Sequence, residues 1–286
     1  MNNKNTQLPK SRYLHHGGMR SHYADWEGTG QTVLLVHGNM RTSRSFDAVA
    51  RSLNQSSHVL ALDLIGHGDS TWIEEGYTFA DRATDVQNFM AQKELDKVCA
   101  VGHSLGGVAI AMCAMSNPEN FDKIILLEPM MEVKENLVKG GISRSNRPRR
   151  TYADLDELRE VLQTHKVTKK WTPEVIEDVV QHETFFNEQN RVDIKWSPAT
   201  LSSPEKRTDY LNLEPILRQI SIPTLMVVSE NGTKEFENAF TLEKELNNLQ
   251  TLVISDTGHN MYMERPDTVA RVVRDFANSL ALPKTV

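Results

Sequence analysis

Val98-Cys-Ala-Val-Gly-His-Ser-Leu-Gly-Gly107 is the stretch on which the fold turns. An apolar run breaks at Gly-His-Ser-Leu-Gly and resumes as the helical stretch Gly107 to Ser116. A G-x-S-x-G pentad between a strand and a helix makes a tight, strained turn that lifts its serine hydroxyl, here Ser104, clear of the sheet edge. Gly102 and Gly106 leave room for a helix to approach the strand, which side chains would block. The pentad alone is weak evidence. Its flanks, Cys99 to Val101 and Ala109 to Met115, supply the strand and the helix that strengthen it.

On either side, apolar strands alternate with helical patterns. Thr32 to Val36 runs into His37-Gly38-Asn39-Met40, and Val59 to Asp63 into Leu64-Ile-Gly-His-Gly-Asp-Ser70, where His67 and Asp69 are expected to hydrogen-bond within the turn. Lys123 to Leu127 delivers Glu128 at its end. Pro223 restarts the pattern with Thr224 to Ser229, and Thr251 to Ser255 ends in Asp256-Thr-Gly-His259. Helical spacing marks Phe46, Val49, Ala50 and Leu53, then Phe79 to Met90 behind a Thr78/Asp81 capping box, then Phe236 to Leu249. A last helix opens at Pro266, with Leu280 on its buried side. This alternation predicts an α/β fold, a doubly wound and mostly parallel sheet whose ligand crevice lies beyond the carboxyl ends of the strands.

Between Met130 and Leu217 the alternation stops and the chain turns helical and charged. Asp154 to Leu162 and a helix opened by Thr172-Pro173 predict a helical lid over 130–217, inserted in a core formed by 1–129 and 218–286. Trp171, Phe185, Phe186 and Trp196, with Met130 and Met131, are the candidates to wall a substrate pocket beneath it, although each taken singly reads better as plain core. The run Ser143-Arg-Ser-Asn-Arg-Pro-Arg-Arg150 could meet an anionic substrate, but reads better as a solvated loop. Arg12 to Trp26 reads as a hairpin around His-Gly-Gly, with His15, His16 and His22 exposed on it and no second ligand cluster to suggest a metal.

The 286 residues suit one large α/β domain with an insertion, or two small ones. A net charge of −6, from 32 basic and 38 acidic residues, provides no basic face for nucleic acid or anionic lipid. Cys99 and Cys113 sit at apolar positions and are expected to be buried, reduced thiols. Met1 to Arg12 is polar and no apolar run is long enough to span a bilayer, so the expectation is a cytoplasmic protein without a membrane partner.

A serine hydroxyl needs a base, and the base an orienting carboxylate. His259, late in the chain after a strand and a Gly turn, is the natural base. The main-chain N–H groups of Asn39 and Leu105 are candidate oxyanion donors, while His37 is better read as packing that shapes its loop.

The motifs His37-Gly-Asn39, Asp63-Leu-Ile-Gly-His-Gly-Asp-Ser70, Gly102-His-Ser-Leu-Gly106 and Gly258-His259, followed by Glu264-Arg-Pro266, make the chain resemble the α/β-hydrolase superfamily along nearly its whole length. The resemblance implies a triad whose acid follows the strand that begins at Pro223. Here that loop reads Ser229-Glu-Asn-Gly-Thr233, and the expected Asp falls near Gly232. Glu230 or Glu235 in that loop could replace it, or Glu128 after the earlier strand, an arrangement similar to haloalkane dehalogenases and zearalenone-lactone hydrolases. Glu128 is preferred, with Glu230 second, because a strand end fixes a carboxylate better than a Gly-containing loop.

The implied activity is hydrolysis of a small carboxylic ester or lactone through an acyl-enzyme, with no metal or organic cofactor. A serine at 104 argues against chemistry that needs a carboxylate nucleophile. A carbon–carbon bond hydrolase, or a slow-turnover signal-binding module of the same fold, are the alternatives. Oligomeric state is left open between monomer and dimer.

Overall fold

A computed structural model describes residues 8–74, 77–133, 147–201 and 211–286. Its main sheet is built from β1 (Lys10–His16), β2 (Met19–Asp25), β3 (Thr32–Val36), β4 (His58–Leu62), β5 (Val98–His103), β6 (Phe121–Leu127), β7 (Thr224–Ser229) and β8 (Leu249–Ile254). Seven longer helices accompany it among the described residues: α1 (Asp47–Leu53), α2 (Phe79–Gln92), α3 (Leu105–Ser116), α4 (Leu155–Thr164), α5 (Pro173–His182), α6 (Glu237–Glu245) and α7 (Pro266–Ala277). The eight strands lie in the order β1-β2-β4-β3-β5-β6-β7-β8. Pairing is parallel from β4 to β8, and antiparallel only between β1 and β2 and between β2 and β4.

Continuous apolar strands suit a sheet covered on both faces, because successive side chains point to opposite sides. Leu35, Val101, Ile125 and Val227 pack on one face with α1 and α7, while Leu34, Ala100, Leu126 and Val228 pack on the other with α2 and α3. The predicted capping box sets the start of α2: Thr78 Oγ1 accepts from Asp81 N at 3.0 Å, and the Asp81 carboxylate accepts from Thr78 N at 2.8 Å.

β3 pairs with β4 on one side and β5 on the other, so the direction of winding reverses there. The loops leaving β3 and β5 diverge at this switch point and open a crevice over their carboxyl ends. The elements that carry Asn39 and Ser104 therefore meet at that crevice.

The segment between β6 and β7 is mixed, where periodicity predicts helices alone. Besides α4 and α5 it holds a strand pair, Thr184–Phe186 with Val192–Ile194, and a shorter one, Glu132–Val133 with Leu211–Asn212. Leu158, Leu162, Val175, Ile176 and Val179 join the apolar layer of α1. Arg51 of α1 ties this layer to α5 through Glu174, at 2.8 Å, and through Asp178.

Several local expectations need correction. His22 is buried, with Nδ1 2.6 Å from Asp63 Oδ2, because the alternation of β2 turns it inward against the end of β4. Leu280 is 57% exposed, since α7 ends at Ala277. α6 ends at Glu245, and Leu249 opens β8. Within the arginine run, residues 143–146 lie outside the described residues, and Arg149 is not loosely solvated: its guanidinium meets Asp193 Oδ1 at 2.6 Å and donates to the carbonyls of Ile194 and Trp196. Both cysteines are buried and unbonded. Among the described residues no helix is long and apolar enough to cross a membrane.

Candidate active site

Ser104 occupies the turn between β5 and α3 with φ 50° and ψ −112°. A side-chain-bearing residue in this region costs on the order of 1–3 kcal/mol, so the surroundings must impose it. Its N–H donates to Leu127 O at 3.0 Å, and its carbonyl accepts from Val108 N at 3.3 Å. The pentad glycines are required by close backbone approach: a Cβ on Gly102 would lie 2.5 Å from Gly106 O, and one on Gly106 2.4 Å from Val36 O.

Glu128 leaves the end of β6 with φ 40°, and its N–H donates to Val227 O at 3.0 Å. The side chain is 3% exposed, with each oxygen spoken for. Oε1 accepts from Ser229 N at 2.8 Å and from Ser229 Oγ, while Oε2 lies 2.8 Å from His259 Nδ1. Burial alone would raise the carboxyl pKa, but the hydrogen bonds from His259 and Ser229 outweigh it and hold the group below the usual glutamate range. Glu128 is therefore a carboxylate at neutral pH.

His259 follows β8 through Asp256-Thr-Gly and is half exposed. Thr257 Oγ1 donates to Ile254 O at 2.7 Å and Gly258 N to Glu264 Oε2 at 2.9 Å, which fixes the loop. The His259 carbonyl accepts from Nε2 of the buried His103 at 2.9 Å, and the two rings lie 4.6 Å apart. Burial pushes the His103 pKa well down, so this neighbour is neutral. Because Nδ1 of His259 faces a carboxylate, its proton belongs there, and Nε2 is the basic ring nitrogen. Ser104, Glu128 and His259 open onto one cleft of about 430 Å³, with Met130, Met131 and Phe236 among its walls.

The loop after β3 passes directly over Ser104: a Cβ on Gly38 would lie 3.3 Å from Ser104 Cβ. His37 braces this loop as a neutral imidazole, Nδ1 donating to Gly38 O at 2.7 Å and Nε2 accepting from Leu64 N at 3.0 Å. Burial lowers its pKa accordingly. Asn39 Oδ1 accepts from Met40 N at 3.0 Å and lies 3.0 Å from His67 Nε2. Among the described residues, the Asn39 and Leu105 main-chain N–H groups have no hydrogen-bond partner.

Not every candidate reaches the cleft. Glu230 is exposed and Oε2 accepts from Asp256 N at 2.8 Å, away from His259; Glu235 lines the cleft without touching the imidazole. Of the pocket candidates, Met130 and Met131 line the Ser104 cleft and the aromatic rings do not. Trp171 is buried in the layer between α1 and the inserted segment, under the Arg41 guanidinium at 5.2 Å. Phe185 meets Trp72 edge-on at 6.1 Å in a separate groove, and Trp196 lines a third cavity with Met40 and Tyr152. Periodicity identified these rings as apolar but not the direction in which the short strand pair turns Phe185 and Trp196.

Ser229, Gly232 and His103 are contributors that sequence reasoning missed. The gap left by an Asp near Gly232 was the available signal, but the partner filling it lies in another strand. Two further clusters bring three possible ligand atoms within 4.8 Å: His22, Asp63 and Asp69, and Asp47, Asp178 and His182. Their carboxylates are already engaged, Asp63 by Ser43 N and His22, Asp69 by Lys195, Asp47 by Arg44 and Asp178 by Arg51.

Residues 31–266 match the family model described as alpha/beta hydrolase fold. The uncharacterized hydrolase YugF of Bacillus subtilis is 25% identical over 276 residues, which cover 91% of this chain and 94% of that protein. A 100-residue match at 34% identity to an uncharacterized Mycobacterium tuberculosis protein spans 35% of this chain but only 29% of that longer protein. Among solved structures, an E-2-(acetamidomethylene)succinate hydrolase is similar in fold over 94% of this chain and 99% of its own, with a TM-score of 0.81 and 19% identity.

Proposed function

Because the chain belongs to the alpha/beta hydrolase fold family, we propose that it is a serine hydrolase that cleaves a carboxylic ester or lactone through an acyl-enzyme. The observation that carries this reading is the 2.8 Å contact between His259 Nδ1 and the buried Glu128 carboxylate, in the same cleft as Ser104.

In this mechanism His259 Nε2 takes the Ser104 proton as Oγ bonds to the substrate carbonyl carbon. The carbonyl electrons move onto oxygen, where the Asn39 and Leu105 N–H groups receive them. Collapse of the tetrahedral species breaks the bond to the leaving alkoxide, which His259 protonates. Water, deprotonated by His259, then attacks the acyl carbon and frees Ser104. Glu128 stays ionised throughout and supports the imidazolium, which its lowered pKa permits.

Treatment with a fluorophosphonate and a panel of 4-nitrophenyl esters and lactones tests the reading. Stoichiometric labelling of the wild type, with labelling and turnover both lost in Ser104→Ala, is the expected result. Folded protein that is neither labelled nor active on any ester or lactone would sink it. Cleavage of a vinylogous 1,5-diketone without ester turnover would move the same triad to carbon–carbon bond hydrolysis.

A further inference from the structure

Beside the Asn39 loop lies a cavity of about 280 Å³ that the reaction just described does not use. Met40, the residue after Asn39, forms part of its wall; Tyr152 and Trp196 supply aromatic surface, and Arg147, Arg149 and Arg150 reach it from one short stretch. The arginines are not equivalent. Arg149 is fixed in place by Asp193 and by the carbonyls of Ile194 and Trp196, with its guanidinium 4.8 Å from the centre of the Trp196 ring. Its charge is matched by Asp193. Arg150 lies over Tyr152 at 5.1 Å, and neither it nor Arg147 has an ion-pair partner among the described residues.

Two arginines without an ion-pair partner among the described residues thus line a small, partly aromatic cavity on a protein whose net charge is −6. The overall field repels an anionic ligand, so any anion that binds must be recognised by a local group of this kind. A guanidinium presents a planar fork of donors that matches the two oxygens of a carboxylate. We infer that the substrate is an ester or lactone bearing a free carboxylate, which Arg147 and Arg150 hold while its carbon skeleton lies against Tyr152 and Trp196. The reactive carbonyl then points back along Met40 toward Asn39 and Ser104. This rests on the serine hydrolase reading for the reaction, but not for the binding.

Two measurements separate the parts. Rates are compared for 4-nitrophenyl acetate and mono-4-nitrophenyl glutarate, using the wild type and the double variant Arg147→Gln/Arg150→Gln. Binding of glutarate to Ser104→Ala, with and without the arginine changes, is measured by calorimetry. In the wild type the carboxylate ester is expected to be favoured in kcat/KM about tenfold or more, the size of one charge-assisted hydrogen bond. The arginine changes abolish that preference, mostly through KM, and also abolish glutarate binding. If glutarate binds as predicted but neither ester is turned over and Ser104 is not labelled, the anion site stands and the serine hydrolase reading fails. If the esters are hydrolysed with no preference, or glutarate binding survives the double variant, the anion site is overturned.

Discussion

Gly232 and Glu128 share one small volume: a Cβ on Gly232 would lie 2.1 Å from Glu128 Oε1. The position at which the resemblance calls for an aspartate is therefore empty of side chain because a carboxylate reaches the same space from a different strand. Ser229 completes the exchange, since its N–H and hydroxyl both donate to Glu128 Oε1 and its hydroxyl also accepts from Gly232 N at 3.0 Å. The two positions stand at the ends of neighbouring parallel strands, β6 and β7.

Relocating it back should be possible. Glu128→Gly alone is expected to lower kcat by roughly a thousandfold or more, the scale seen when a catalytic imidazole loses its carboxylate. Glycine also suits the φ of 40° there. Adding Gly232→Asp should restore at least about tenfold of that loss, whereas Gly232→Asp on its own should impair the enzyme by crowding two carboxylates. Steady-state kinetics on one ester decides it, and a folded double variant no more active than Glu128→Gly contradicts the shared-volume account.

His103 gives a second prediction, because its buried ring donates to the His259 carbonyl at 2.9 Å and packs against the His259 ring. It is a positioning residue, not a catalytic one. His103→Leu should reduce kcat by about tenfold, the equivalent of one lost hydrogen bond, with little change in KM. His103→Gln, which keeps an N–H donor, should recover part of the loss. Equal losses in both variants, tracking only a fall in Tm, would reduce His103 to a packing role.

What the sequence made legible follows from the range of the interactions involved. Ser104 announces itself because its strain, its glycines and its strand and helix are all local. His259 is nearly as plain, since a strand, a Gly turn and a helix opened by Pro266 surround it. Glu128 could be preferred to Glu230 only by argument, because its contacts with Ser229 and His259 join the ends of β6, β7 and β8. The aromatic rings show a related limit: Trp171 is core, as each ring singly was expected to be, while a short strand pair in the inserted segment carries Phe185 and leads into Trp196, and so sets which cavity each faces. Buried His22 shows the same limit, for its partner Asp63 lies 41 positions away.

The glycine at 106 offers a stability test that also reads the oxyanion loop. Its absent Cβ would lie 2.4 Å from Val36 O and 2.5 Å from His37 O, both main-chain atoms at the end of β3. Gly106→Ala must therefore push α3 away from β3, at a cost of about 1–3 kcal/mol. Calorimetry should show a lower Tm, and the surviving folded protein should lose kcat, since the displaced loop carries Asn39. Unchanged Tm and kcat would mean that α3 does not approach β3 as closely as described.

The last prediction concerns Glu183, whose carboxyl is fully buried beside α5 with neither oxygen hydrogen-bonded and Arg41 Nη1 3.4 Å away. Burial pushes its pKa up to about 7; Arg41 and Arg44 pull it down, while Asp63 and Asp47 push it up. The unfolded chain releases this proton near the ordinary glutamate value of 4.5, so between about pH 4.5 and 7 the folded state binds more protons than the unfolded one. The Glu183 contribution is then fully present below that window, falls as pH rises through it, and levels off above. Replacing the group by Glu183→Gln removes the slope. The Tm of the variant minus that of the wild type should therefore increase from pH 4.5 to 7 and stay constant above, as measured by scanning calorimetry in buffers of matched ionic strength. A difference independent of pH across that window would show that Glu183 ionises in the folded protein as it does in the unfolded chain, and that Arg41 holds it as a carboxylate.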